Sequence, residues 1–125
     1  MSRKLTALWS IPLLAACLVC LPATGADDDA EPKHKIKDVM KAALKGPLLK
    51  KVASGEASDD EKKQLHSMMV SLSKNKPPKG EDDSWKELTG ALVKAANDAV
   101  EGTEGAAESL KKASNCKACH SKHKG

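Results

Sequence analysis

The chain has 125 residues, a length that favours a single domain. Its 21 lysines and arginines only slightly outnumber its 17 aspartates and glutamates, which gives a formal net charge of +4. This near balance argues against a nucleic-acid-binding protein, and the absence of a nucleophile–base pattern argues against an enzyme.

The N-terminus has the pattern of a secretory signal. Arg3 and Lys4 precede an apolar run that reaches Leu21, and small residues then lead into an acidic stretch that begins at Asp27. We assign residues 1–26 to a signal peptide and expect a periplasmic or otherwise exported protein. Its removal would leave 19 lysines, no arginine and a formal charge of +2.

A second processing route is open at Cys17. The stretch Leu14-Ala15-Ala16-Cys17 resembles a bacterial lipobox, and lipidation of Cys17 would anchor the protein to a membrane. Apolar residues continue past Cys17, however, whereas a mature lipoprotein normally turns polar after its cysteine. Ordinary signal cleavage is therefore the primary prediction, and a lipid anchor is the alternative.

The first half of the mature chain predicts two helices after a loose acidic leader at 27–33. The segment 34–45 repeats apolar residues at helical spacing, and Gly46-Pro47 interrupts it. Ser58 and Glu61 form a capping box that opens a second helix, which stops before the linker 75–80. The two apolar stripes are Ile36, Val39, Met40, Ala43 and Leu44, then Leu65, Met68, Met69 and Leu72.

The second half predicts two more helices. Ser84 and Glu87 resemble a further capping box, and a fourth helix is expected from about Glu104. The stripes are Trp85, Leu88, Leu92, Ala95, Ala96 and Ala99, then Ala107, Leu110, Ala113 and Cys116. With no strand pattern, residues 34–125 predict an all-α fold, an antiparallel four-helix bundle.

The predicted core is poor in aromatic side chains. Trp85 is the single aromatic residue of the mature chain, which has no Phe and no Tyr, and many stripe positions are alanine. Alanine-faced helices fill little volume, so a large apolar group could occupy the space between them, and a porphyrin would do so. Trp85 itself is expected in the core or in the wall around such a group.

The strongest chemical signal lies at the C-terminus, where residues 116–120 read C-x-x-C-H. This motif indicates covalent attachment of one c-type haem: the thiols of Cys116 and Cys119 form thioethers, and His120 is the proximal iron ligand. On a helix these residues stand at i, i+3 and i+4, and therefore share one face. Cys17 and Cys20 have the same spacing but lack the histidine, so we assign them no haem.

Other interpretations of the motif remain open. A zinc site could use Cys116, Cys119, His120 and His123, although adjacent Cys119 and His120 constrain such a cage. A disulfide between the two cysteines is also possible. A thioredoxin-type dithiol would need a βαβ context, which the sequence does not offer.

The signal peptide, the four amphipathic segments and the C-terminal C-x-x-C-H together resemble the class II c-type cytochromes, the cytochrome c′ and c-556 type. Segments such as KKVASGEAS, NKPPKG and SNCKACHSKHK are also similar to small secreted bacterial monohaem cytochromes. The resemblance implies a sixth iron ligand from a methionine on the first helix, here Met40, or an open position that binds nitric oxide or carbon monoxide. It also implies a possible homodimer through the first two helices. The family often has an arginine before that methionine, and this mature chain has none.

Other side chains compete with Met40 or surround the motif. Met40 could simply pack in the core, as we expect for Met68 and Met69. His66 is a second-rank ligand candidate, and His34 and His123 are expected to be exposed near the ends of the mature chain. Several lysines near the motif could steer an acidic redox partner: Lys111, Lys112, Lys117, Lys122 and Lys124. We expect a single-electron carrier, with gas binding as the alternative.

Overall fold

The computed structural model describes residues 31–125, and within that range the regular structure is entirely helical. The predicted signal peptide and Cys17 lie outside the described residues. The order is α1 (Ile36–Val39), a π-helical segment (Met40–Leu44), α2 (Pro47–Ser54), α3 (Asp59–Lys74), α4 (Asp82–Glu101), α5 (Ala106–Ala113) and α6 (Cys116–His123). The predicted all-α class is confirmed for this part of the chain. No helix in it is long and apolar enough to cross a membrane.

The first helix changes its winding at Met40. The Lys45 backbone N–H donates to the Met40 carbonyl at 2.8 Å, a bond that spans five residues instead of four. Gly46 then adopts an extended conformation before Pro47 opens α2. The predicted interruption at Gly46-Pro47 is confirmed. A β-carbon on Gly46 would collide with the Ala42 carbonyl oxygen, which explains glycine at this close approach.

The two predicted capping boxes have opposite outcomes. At the start of α3 the Glu61 N–H donates to Ser58 Oγ at 3.2 Å, and the Ser58 N–H donates to Glu61 Oε2 at 3.0 Å. The second capping box is wrong, because α4 begins two residues before Ser84, and Glu81 precedes it without a side-chain cap. The Ser84 hydroxyl instead lies 3.2 Å from His123 Nε2.

The core lies inside a ring of packed helices. Helix α3 packs on α4, α4 on α5, α5 on α2, and α2 back on α3. The predicted stripes of α3 and α4 point inward, and Leu65, Met69 and Ala96 have no exposed surface. Trp85 is buried as predicted, at 3% exposure.

The last predicted helix is not continuous. Helix α5 ends at Ala113, Ser114 and Asn115 turn the chain, and Cys116 starts a separate helix, α6. The Asn115 side chain caps α6 by accepting the Ala118 N–H at 3.2 Å. The expectation that Ala113 and Cys116 share one helical face is therefore wrong, because an asparagine cap between them starts the helix anew.

Candidate functional site

One apolar cavity brings together residues from most of the helical elements. It has a volume of about 170 Å³, and its surface is almost entirely apolar. The sequence-predicted residues Met40, Cys116, Cys119 and His120 all line it. The remaining lining comes from Leu44, Lys45, Leu72, Leu92, Ala113, Ser114 and Asn115.

The cavity lies between α6 and the π-helical segment. Met40 is the first residue of that segment, and it is half-buried against the core. The three C-x-x-C-H residues lie within the first five positions of α6. Residues 80 positions apart in the sequence, Met40 and His120, are thus brought to the same cavity by packing of the intervening helices. π-helical turns are rare in proteins, and those that occur often lie at functional sites.

The two cysteines have different surroundings. Cys116 is exposed and its thiol approaches the Ser114 carbonyl at 3.5 Å, whereas Cys119 is half-buried. Burial, and secondarily the nearby Cys116, raise the pKa of the Cys119 thiol, so this thiol stays protonated at neutral pH. Both cysteines are free thiols, without a disulfide between them.

The donor set fits a c-type haem. Two thiols and an imidazole share one helix, a thioether lines the same cavity, and the lining surface is almost entirely apolar, which suits a porphyrin. The volume of about 170 Å³ is below the roughly 300–1,000 Å³ of ordinary small-molecule sites. A macrocycle held here would therefore push the cavity walls apart or protrude into solvent, on the side where Cys116 and His120 are exposed.

Other predicted site residues lie elsewhere. His66 lines a separate groove of about 900 Å³ between α3 and α4, together with Trp85, so it is not placed beside the C-x-x-C-H residues. Met68 and Met69 are buried in the core and are not among the cavity-lining residues, as expected for packing.

His123 is buried, so the prediction that it is exposed near the end of the chain is wrong. The residue is 3% exposed, and both ring nitrogens have partners: Nδ1 lies 2.8 Å from the Lys79 carbonyl oxygen and Nε2 lies 3.2 Å from Ser84 Oγ. The four-ligand zinc interpretation is weakened by these contacts, since His123 would have to give them up. Among the described residues no group of three or more His, Cys, Asp or Glu side chains is arranged to hold a metal ion.

Sequence reasoning missed two features of this region. Asn115 lines the cavity and caps α6. Its position directly before the motif indicates this role in the sequence, because asparagine is preferred at helix N-caps. His123 follows His120 at i+3, a spacing that places both on one side of a helix. Comparison with family models, with curated proteins and with solved structures found no match to this chain.

Proposed function

We propose that the chain is an exported monohaem c-type cytochrome that carries single electrons between larger redox proteins. The observation that carries the proposal is the shared cavity: the C-x-x-C-H residues on α6 face an apolar space that Met40 also lines. The ring of four packed helices, α2 to α5, supports the four-helix architecture expected of such a protein.

Each residue has a defined task in this proposal. Cys116 and Cys119 would hold the haem covalently: each thiol would add across one vinyl group, its sulfur bonding to one vinyl carbon and its hydrogen to the other. His120 would bind the haem iron through a ring nitrogen, and Met40 would supply its thioether sulfur as a second ligand. Leu44, Leu72 and Leu92 exclude water.

The bound haem iron supplies the one-electron centre, and a methionine ligand raises its reduction potential. Exposure of Cys116, Lys117 and His120 leaves one side of the site open to a partner protein. Electron exchange through that side needs no substrate to enter the cavity. The alternative function is the binding of nitric oxide or carbon monoxide, for which the iron would have an open coordination position if Met40 did not bind it.

The test is expression of the full-length chain with a bacterial haem-attachment system, followed by optical spectra of the oxidised and reduced protein. Met40→Leu conserves side-chain volume, and Met69→Leu is the matched control in the core. We expect covalent haem and a low-spin spectrum in the wild type and in Met69→Leu. Met40→Leu is expected to be high-spin, with a lower reduction potential, and to bind carbon monoxide.

Two outcomes would contradict the proposal. Absence of covalent haem from the wild-type chain removes both the electron-carrier and the gas-binding functions. A high-spin wild-type spectrum that Met40→Leu leaves unchanged removes Met40 as a ligand and favours gas binding.

A further inference from the structure

Helix α6 is attached to the rest of the protein mainly at its C-terminal end. His123 is the single buried residue of this eight-residue helix, and Cys116, Lys117, His120, Ser121 and Lys122 are exposed. Among the helices, α4 makes the main contact with α6. The orientation of α6 against the cavity therefore depends heavily on what holds His123.

The His123 ring is held from two directions. In the neutral ring with its proton on Nδ1, that N–H donates to the Lys79 carbonyl at 2.8 Å, and Nε2 accepts from the Ser84 hydroxyl at 3.2 Å. The ring also meets Trp85 edge to face, with ring centroids 5.3 Å apart and planes at 74°. Three contacts thus join the end of α6 to the start of α4 and to the loop before it.

The loop before α4 is shaped for this contact. Gly80 has a φ of +89°, a conformation that glycine adopts without strain. A β-carbon there would lie 2.7 Å from His123 Nδ1 and 2.7 Å from the Lys122 carbonyl oxygen. Only a residue without a side chain lets the loop come this close to the end of α6.

We propose that His123 is a positioning residue for the candidate haem site. It anchors the C-terminal end of α6 and thereby sets the orientation of His120, one helical turn earlier, and of Cys119 relative to Met40. The effect on haem rests on the proposed function, whereas the anchoring of α6 does not. His123 is the most deeply buried residue of α6, and the half-buried Cys119 also packs against the core.

The test compares His123→Phe with His123→Asn. Phenylalanine keeps a ring against Trp85 but leaves the Lys79 carbonyl without its donor, whereas the asparagine amide can still donate to that carbonyl. His66→Phe is the matched control, because His66 is half-buried on α3 in the other groove. Each variant is measured twice: by amide hydrogen exchange of residues 116–123 without haem, and by optical spectrum and reduction potential with haem.

We expect His123→Phe to speed exchange of the α6 amides at least tenfold, and His123→Asn to restore most of the protection. If the preference of Met40 for ferrous over ferric haem iron falls tenfold, the reduction potential of this one-electron couple falls by about 59 mV. His123→Phe is expected to show a fall of that order, and His66→Phe none.

The proposal is wrong if His123→Phe matches the wild type in both exchange and potential, or if His66→Phe shifts the potential equally. Should no variant take up haem, the proposed function fails, and the exchange data alone still decide whether His123 anchors α6. Should His123→Phe not fold, Ser84→Ala replaces it, since it removes one hydrogen bond to His123. Unchanged α6 exchange in Ser84→Ala would then overturn the anchor.

Discussion

Glu61 joins two helices at the level of single side chains. It caps α3 through the Ser58 N–H, and it also accepts a 2.6 Å hydrogen bond from Lys51 Nζ on α2. The Lys51 hydrogen bond, helped by the Ser58 N–H, lowers the pKa of Glu61 below its ordinary value of 4.5. The same hydrogen bond with the Glu61 carboxylate raises the pKa of Lys51 above its ordinary value of 10.5.

These shifts predict how stability depends on pH. A lowered carboxyl pKa stabilises the fold at pH values above 4.5, and this contribution is lost as the pH falls through the folded-state pKa. The contribution of Lys51 is present below 10.5 and is lost as the pH rises through its raised pKa. The melting temperature of Glu61→Gln, measured by circular dichroism, should therefore fall less steeply than that of the wild type as the pH drops below about 5.

Ser58→Ala is the control for this prediction. It removes the hydroxyl cap, at a cost of about 1 kcal/mol, but keeps the Lys51–Glu61 pair and hence the acid dependence. An acid dependence in Glu61→Gln equal to that of the wild type would show that other carboxylates cause it.

At the scale of elements, α6 is too short to be stable alone. Isolated helices below roughly 12–15 residues are marginal in water, and α6 has eight residues. Its stability must come from its ends: the Asn115 cap at one and the buried His123 at the other. The residues of the C-x-x-C-H motif are thus held in helical register by residues outside the motif.

Asn115→Ala tests the cap. Loss of the Asn115 Oδ1 acceptor should cost about 1 kcal/mol of helix stability, equivalent to roughly fivefold faster exchange of the α6 amides. Asn115→Asp keeps an oxygen acceptor and should exchange like the wild type. Hydrogen exchange with mass spectrometry distinguishes the two. Equal exchange in the wild type and both variants would mean that the Asn115 cap does not stabilise α6.

Periodicity predicted the helical stripes well but could not predict where tertiary contacts change local structure. The stripes around Leu65 and Leu92 are buried because apolar spacing alone sets which helix face turns inward. Ser84 fits a capping box by sequence, yet its hydroxyl contacts His123, a partner 39 residues away. The break before Asn115 was missed because apolar spacing continues across it from Ala113 to Cys116.

The residues of the candidate site could be predicted from the sequence, whereas the tertiary contacts that position them could not. C-x-x-C-H names Cys116, Cys119 and His120 by spacing, and the resemblance named Met40. That these four residues line one cavity is a result of packing among helices distant in sequence. The burial of His123 depends on the loop at Gly80, whose close approach no local pattern reveals.

At the scale of the whole molecule, charge is unevenly distributed along the chain. Residues 109–125 contain five lysines and no acidic residue. Acidic side chains are concentrated instead in the first turns of α3 and α4. Lys112 is paired with Glu108 at 3.0 Å, whereas Lys117 is exposed beside Cys116. The C-terminal segment that carries the C-x-x-C-H motif is therefore basic.

Under the proposed function, this asymmetry predicts salt-dependent association with an acidic redox partner. Lys117→Gln should lower the rate of electron exchange with an acidic redox protein at low ionic strength by several-fold. The difference should vanish at about 1 M salt, where the Debye length is about 3 Å. Lys63→Gln on the exposed side of α3 is the matched control. Stopped-flow kinetics measures both, and equal rates for Lys117→Gln and wild type at low salt would contradict the prediction.

The π-helical turn at Met40 has a consequence for how such a protein could diversify. A turn closed between Met40 and Lys45 contains one residue more than an α-helical turn. Deleting one residue from 41–44 would let the helix return to ordinary winding while Gly46-Pro47 still ends it. Met40 would then rotate by about 100° relative to α2, since each residue advances a helix of 3.6 residues per turn by that angle. Under the proposed function, a single-codon deletion would thus turn Met40 away from the site without altering the cysteine motif.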